Sequence, residues 1–146
     1  MGVIKLNKYI NEQNKVHELI DKYQKNLDAY LNKDYNETQT RTDFVNPFFE
    51  ILGWDIDNKQ KLPPKSREVF QETSVNVEEN GKYRTKKPDY AFKAGTEIIY
   101  YLETKKPSID INTDKQSSFQ LRRYGWSGNV AISILTNFND LYIYST

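Results

Sequence analysis

The run Thr96-Glu97-Ile98-Ile99-Tyr100-Tyr101-Leu102-Glu103-Thr104 limits what this chain can fold into more than any other stretch. It is rich in β-branched and aromatic residues, the composition of a strand. Ile98 to Leu102 are apolar at odd and even positions alike, so both faces of the strand are built to be covered. That is the pattern of a central strand, not an edge. Just upstream, Tyr90-Ala91-Phe92 reads as a shorter strand and Lys93-Ala94-Gly95 as a turn, which makes a hairpin. Side chains alternate faces along a strand, so Glu103 and Lys105 point one way and Lys106 the other. Pro88-Asp89 opens the hairpin 14 positions before Glu103, so folding it closed brings Asp89 back beside Glu103. Two carboxylates and one ammonium then converge at one end of a sheet.

Such charges are costly to desolvate unless something pairs or coordinates them. On a solvated strand, Glu-x-Lys is an ion pair and Asp after Pro marks a turn. At the end of a strand covered on both faces, the same residues point to chemistry. Two carboxylates suit a hard divalent cation such as Mg²⁺. A neighbouring lysine is placed to hold or activate a water beside that ion.

Residues 6–33 read as one amphipathic helix, with Val16, Ile20, Tyr23, Leu27 and Tyr30/Leu31 recurring at three- and four-residue steps. It either packs its stripe on the domain or docks another domain of a longer chain. Asp34-Tyr35-Asn36 breaks it. A second helix is expected over 37–52, with Phe44, Val45, Phe48, Ile51 and Leu52 as its stripe and Glu37 in its first turn. Pro47 should kink or split it, and Gly53 is the expected C′ residue. A loop over 57–66 precedes a strand over 68–77. Asn80-Gly81 signals a hairpin, and the next strand runs from Lys82 towards Phe92. A helix over 114–126 has Asp114 as its N-cap. Gln120 and Tyr124 share a face on it. Strands at 130–135 and 141–144, joined by a turn at 136–140, complete the chain. The last strand ends almost where the sequence does, as expected for a module of a larger enzyme.

Composition removes several classes. With no Cys there are no disulfides and no thiolate metal site, and His17 alone cannot make a multi-histidine zinc site. His17 sits in a polar helical stretch, where exposure is expected. No apolar run is long enough to span a membrane, and no signal peptide is visible. The six Gly form no phosphate-binding loop, so ATP and S-adenosylmethionine are not expected to bind this chain. The net charge of +1 gives no global case for nucleic acid, so any such surface must be local. Lys82, Arg84, Lys86 and Lys87 form the densest basic run, beside Asp89. They either blunt a sheet edge or meet phosphates, and Arg122 and Arg123 on the 114–126 helix are further candidate phosphate contacts.

Three segments in order carry a resemblance: Asn36 to Trp54, Pro88-Asp89 with Glu103-Thr104-Lys105, and Gln120-Leu121-Arg122-Arg123-Tyr124. Together they resemble the N-terminal PD-(D/E)XK nuclease domain of type IIG restriction-modification enzymes. The N-terminal domain of type I restriction R subunits is a near second. The likeness starts at about Asn36. It divides the chain into an N-terminal helical segment, 1–35, and a nuclease core, 36–146. The implied fold is α/β and restriction-endonuclease-like, a mixed central sheet flanked by helices. The implied activity is Mg²⁺-dependent hydrolysis of double-stranded DNA, with Mn²⁺ able to substitute. Asp89, Glu103 and the Thr104 carbonyl would bind the metal, and Lys105 would orient the attacking water. Glu37 and Gln120 would assist, and Tyr124 would support Gln120. S-adenosylmethionine would be bound only by other domains, and methyltransferase and target-recognition domains would be partners in the same polypeptide or complex. The implied setting is the cytoplasm of a bacterium or archaeon. Two other readings stay open: a non-catalytic DNA-binding or scaffold module of this fold, and a repair, transposon or RNA nuclease.

Overall fold

The apolar run lies where its two faces require, in the middle of a five-stranded sheet. The computed structural model describes residues 2–72, 75–86 and 88–145, of which 2–7, 75–79 and 82–86 are described through their backbone. The sheet order is β1 (Val69–Gln71), β4 (Tyr90–Ala94), β5 (Glu97–Thr104), β6 (Ile132–Thr136), β7 (Leu141–Ser145). β5 and β6 are parallel and every other pair is antiparallel, so the sheet is mixed. α5 (Lys115–Ser127) supplies the crossover that a parallel pair needs. Leu102 and Ile134 pack on one face with Val45, Phe49 and Phe92. Tyr101 and Leu135 pack on the other with Leu121 and Tyr124. The domain is α/β, with helices on both sides of a central β5.

The hairpin forms, with its turn one residue later than expected, at Gly95-Thr96. Gly95 has φ +65°, a left-handed conformation glycine adopts without a Cβ clash. Two expected strands are each cut in two. The strand over 68–77 becomes β1 and β2 (Val75–Glu79), because Glu72 turns left-handed at φ +57° and its N–H donates to the Asp89 carbonyl at 2.8 Å. The strand from Lys82 to Phe92 becomes β3 (Lys82–Lys86) and β4, with buried Pro88, which has no N–H for a ladder, between them. β2 and β3 form a separate two-stranded ribbon beside α5, closed by Asn80 (φ +54°) and Gly81 (φ +75°).

The helix over 37–52 is split as Pro47 requires. α3 (Glu37–Thr40) runs into a widened π-helical turn (Arg41–Val45) and then α4 (Asn46–Ile51). Pro47 cannot donate to the Asp43 carbonyl, and the Lys22 ammonium approaches that oxygen at 3.5 Å. Asn36 caps α3 reciprocally with Gln39. Gly53, at φ +105°, ends the run as the C′ residue.

The N-terminal helix differs from its expected form. α1 (Gly2–Lys25) stops at Asn26, and α2 (Leu27–Tyr30) is a single turn. Leu19 and Tyr23 face the core, while Ile20, Leu27 and Leu31 are exposed. Leu19 and Tyr23 are one turn apart. That row meets Tyr35 and Phe44, and the Tyr23 ring lies edge-on to Phe44 at 5.3 Å. Leu52, expected in the α4 stripe, is also exposed, and buried Phe49 takes its place. His17 is exposed. Among the described residues no helix is long and apolar enough to cross a membrane.

Candidate active site

The β4–β5 register sets Tyr90 opposite Leu102, so Asp89 and Glu103 meet at the open end of the hairpin. The Asp89 N–H donates to the Glu103 carboxylate at 3.3 Å. Asp89 Oδ2 accepts the Thr104 N–H at 2.7 Å and the Thr104 hydroxyl at 2.6 Å. Its Oδ1 accepts Arg41 Nη1 at 2.9 Å. Burial and the Asp89 charge push the Glu103 carboxyl up to about 8, against the smaller pull of the Asp89 N–H and Lys105.

Lys105 follows the last residue of β5, and its N–H continues the parallel ladder to the Thr136 carbonyl at 2.9 Å. Its ammonium lies 3.9 Å from Glu37, on the first turn of α3. It also acts on Asp114, whose carboxyl lies below the usual range. The Ser117 hydroxyl is the main cause of that shift, with the Ser117 N–H and Lys105 adding to it. Lys105 thus pairs with Glu37 and also favours the charged forms of Glu103 and Asp114. Lys106 turns away and donates to the Lys33 carbonyl at 2.9 Å, as strand alternation requires.

Asp89, Glu103, Thr104, Lys105 and Glu37 thus come together. Gln120 is exposed on α5, and no described bond ties it to this cluster. Tyr124, four residues on, is buried in the core beneath α5. Arg122 is exposed, and the Arg123 guanidinium lies over the Phe119 ring at 4.7 Å. The side chains of Lys82, Arg84 and Lys86, and all of Lys87, lie outside the described residues. Two of the groups that bond Asp89 were not among the sequence candidates: the Thr104 hydroxyl and Arg41. The signal for Arg41 was present, since it lies four residues after Glu37 and so on the same helix face.

The donor chemistry fits a hard divalent cation. Asp89 and Glu103 offer adjacent carboxylates, and the proton affinity of Glu103 is raised first by its burial and then by the Asp89 charge beside it. Among the described residues no group of three or more Asp, Glu, His or Cys is placed to hold one metal ion. One or two carboxylates are usual for Mg²⁺, which keeps several waters. A separate groove of 340 Å³, lined by Leu19, Tyr23, Phe48 and Phe138 among others, has no charged residue in its wall. It offers no comparable chemistry.

A mixed sheet with acidic residues and a lysine at the end of its central hairpin is the frame of a restriction-endonuclease-like domain. The chain belongs to the family described as type I restriction enzyme R protein N terminus, whose profile matches residues 34–146. It is also 44% identical over 135 residues to the type II restriction enzyme and methyltransferase RM.Eco57I of Escherichia coli. That match covers 92% of this chain and 13% of the relative, so the chain spans a small part of the curated protein it resembles. No solved structure matches the chain.

Proposed function

We propose that this chain is the Mg²⁺-dependent endonuclease module of a restriction-modification enzyme, hydrolysing phosphodiester bonds of double-stranded DNA. One observation carries the reading: Asp89 and Glu103 are joined by a 3.3 Å hydrogen bond at the strand end where Lys105 emerges. Asp89 and Glu103 would hold the ion, with the Thr104 carbonyl as a further donor. A bound Mg²⁺ polarises a phosphate oxygen and lowers the pKa of its water. Lys105 would orient the attacking water and face the negative charge that grows as the new P–O bond forms and the bond to the sugar oxygen breaks. Glu37 holds the Lys105 ammonium in place. Gln120 and Arg122, both exposed on α5, and the β3 run Lys82, Arg84, Lys86 with Lys87 meet the DNA backbone. Because RM.Eco57I is named as both a restriction enzyme and a methyltransferase, the partner we assign is a methyltransferase domain in the same polypeptide or complex.

A second reading has its own support. The Arg41–Asp89 pair neutralises one carboxylate without a metal, as a non-catalytic DNA-binding module of this fold would require. Conversion of supercoiled plasmid separates the two, using the chain within its full-length enzyme. Nicking in Mg²⁺ that stops in EDTA and in Glu103→Ala supports the nuclease. DNA binding without cleavage, unchanged by EDTA, supports the binding module.

A further inference from the structure

The partners of Asp89 leave little room for a metal. Oδ2 accepts two hydrogen bonds, both from Thr104, at 2.7 and 2.6 Å. A carboxylate oxygen offers about two lone-pair sites, so Oδ2 is saturated. Oδ1 accepts Arg41 at 2.9 Å and keeps one site open. An ion shared between Asp89 and Glu103 must therefore take the oxygen that Arg41 already holds. The guanidinium and the ion are like charges on one atom, and they repel. Arg41 is loosely tied otherwise. Its other described bond is a 3.4 Å contact from Nη2 to the Thr38 hydroxyl, and its side chain is 20% exposed. It leaves the backbone at the first residue of the π-helical turn, a geometry frequent at functional sites.

We propose that Arg41 is an exchangeable counter-cation: it holds Asp89 while no metal is bound, yields Oδ1 to the divalent ion, and then takes a phosphate oxygen of the DNA. This rests on the metal-site reading above. The guanidinium fork suits phosphate as well as carboxylate, so the released arginine has a partner where the substrate arrives. Arg41 thereby makes metal binding and DNA binding support each other. The metal frees the arginine, and the phosphate keeps it from returning to Asp89.

The two roles have opposite signatures in Arg41→Gln. Titration with Mg²⁺ by calorimetry, without DNA, should show binding about five- to tenfold tighter than wild type, because the competing cation is gone. Binding of a duplex oligonucleotide in Ca²⁺ should be about three- to tenfold weaker, because a phosphate contact is lost. Arg41→Lys keeps the charge and should bind Mg²⁺ within about twofold of wild type. A merely structural Arg41 would weaken both affinities in Arg41→Gln, and that result overturns the proposal. So does unchanged Mg²⁺ affinity, or tighter Mg²⁺ with unchanged DNA binding. The metal site is judged separately by Glu103→Ala. If wild type binds Mg²⁺, Glu103→Ala does not and Arg41→Gln is no tighter, the site stands and the Arg41 exchange falls. If neither wild type nor Arg41→Gln binds Mg²⁺, both fall.

Discussion

One helical run, α3 through α4, serves two unlike regions. At its start, Glu37 and Arg41 face the open end of the β4–β5 hairpin and bond to Lys105 and Asp89. Further along, Phe44 lies among Tyr23, Tyr30 and Phe138, with ring centroids 4.7 to 5.3 Å apart. The aromatic region has the fully buried Phe44 ring at its centre, and burial of that ring favours the fold directly. At the hairpin end burial works the other way, because desolvation makes Glu103 reluctant to ionise. The contrast teaches that stability and chemistry are carried by separate ends of one element. Tyr35 ties the π-helical turn to the aromatic cluster, packing there while its hydroxyl donates to Asp43 at 2.6 Å.

That separation is breakable. Lys105→Ala should cut the cleavage rate by about 10²–10⁴-fold, the range for a lost proton-handling group, and leave the melting temperature nearly unchanged. Cleavage at the wild-type rate would remove Lys105 from the mechanism. Phe44→Ala, at a fully buried site, should destabilise by about 3–5 kcal/mol in urea unfolding. Cleavage per folded molecule should survive, and a selective loss of activity would mean the two ends are coupled.

Glu103→Gln sharpens the comparison through pH. The folded-state pKa of Glu103, about 8, lies above its ordinary value of 4.5. The stability this group contributes is therefore complete below about pH 4.5 and lost as pH rises through about 8. Melting temperatures of the metal-free protein should fall over that window in wild type and fall less in Glu103→Gln. Parallel curves for the two proteins would show that Glu103 titrates normally. The smallest effect concerns α1. Leu19→Ala should cost about 2 kcal/mol, and exposed Ile20→Ser no more than about 0.5 kcal/mol. The reverse ranking would restore the stripe through Ile20.

Much of this was legible in the sequence for local reasons. The unbroken apolar run 98–102 put β5 at the centre, and the 14-residue spacing returned Asp89 to Glu103. Asn80-Gly81, Gly53 and Asp114 each mark a backbone conformation or cap that few other residues supply. What was not legible depends on tertiary context. Nothing in the composition around Glu72 announces a left-handed residue, since it is held by a bond to the Asp89 carbonyl just before β4. The choice of Leu19 over Ile20 is one helical position, decided by where Phe44 and Tyr35 lie. Arg41 was visible as a residue, but its partner 48 positions away was not.

The most direct measurement is anomalous scattering from crystals of the protein soaked in Mn²⁺. One ion is expected within about 2.2 Å of Asp89 Oδ1 and of a Glu103 carboxylate oxygen, with the Arg41 guanidinium moved off Asp89. Crystals that bind Mn²⁺ elsewhere, or none at this hairpin end with Arg41 still on Asp89, would contradict it.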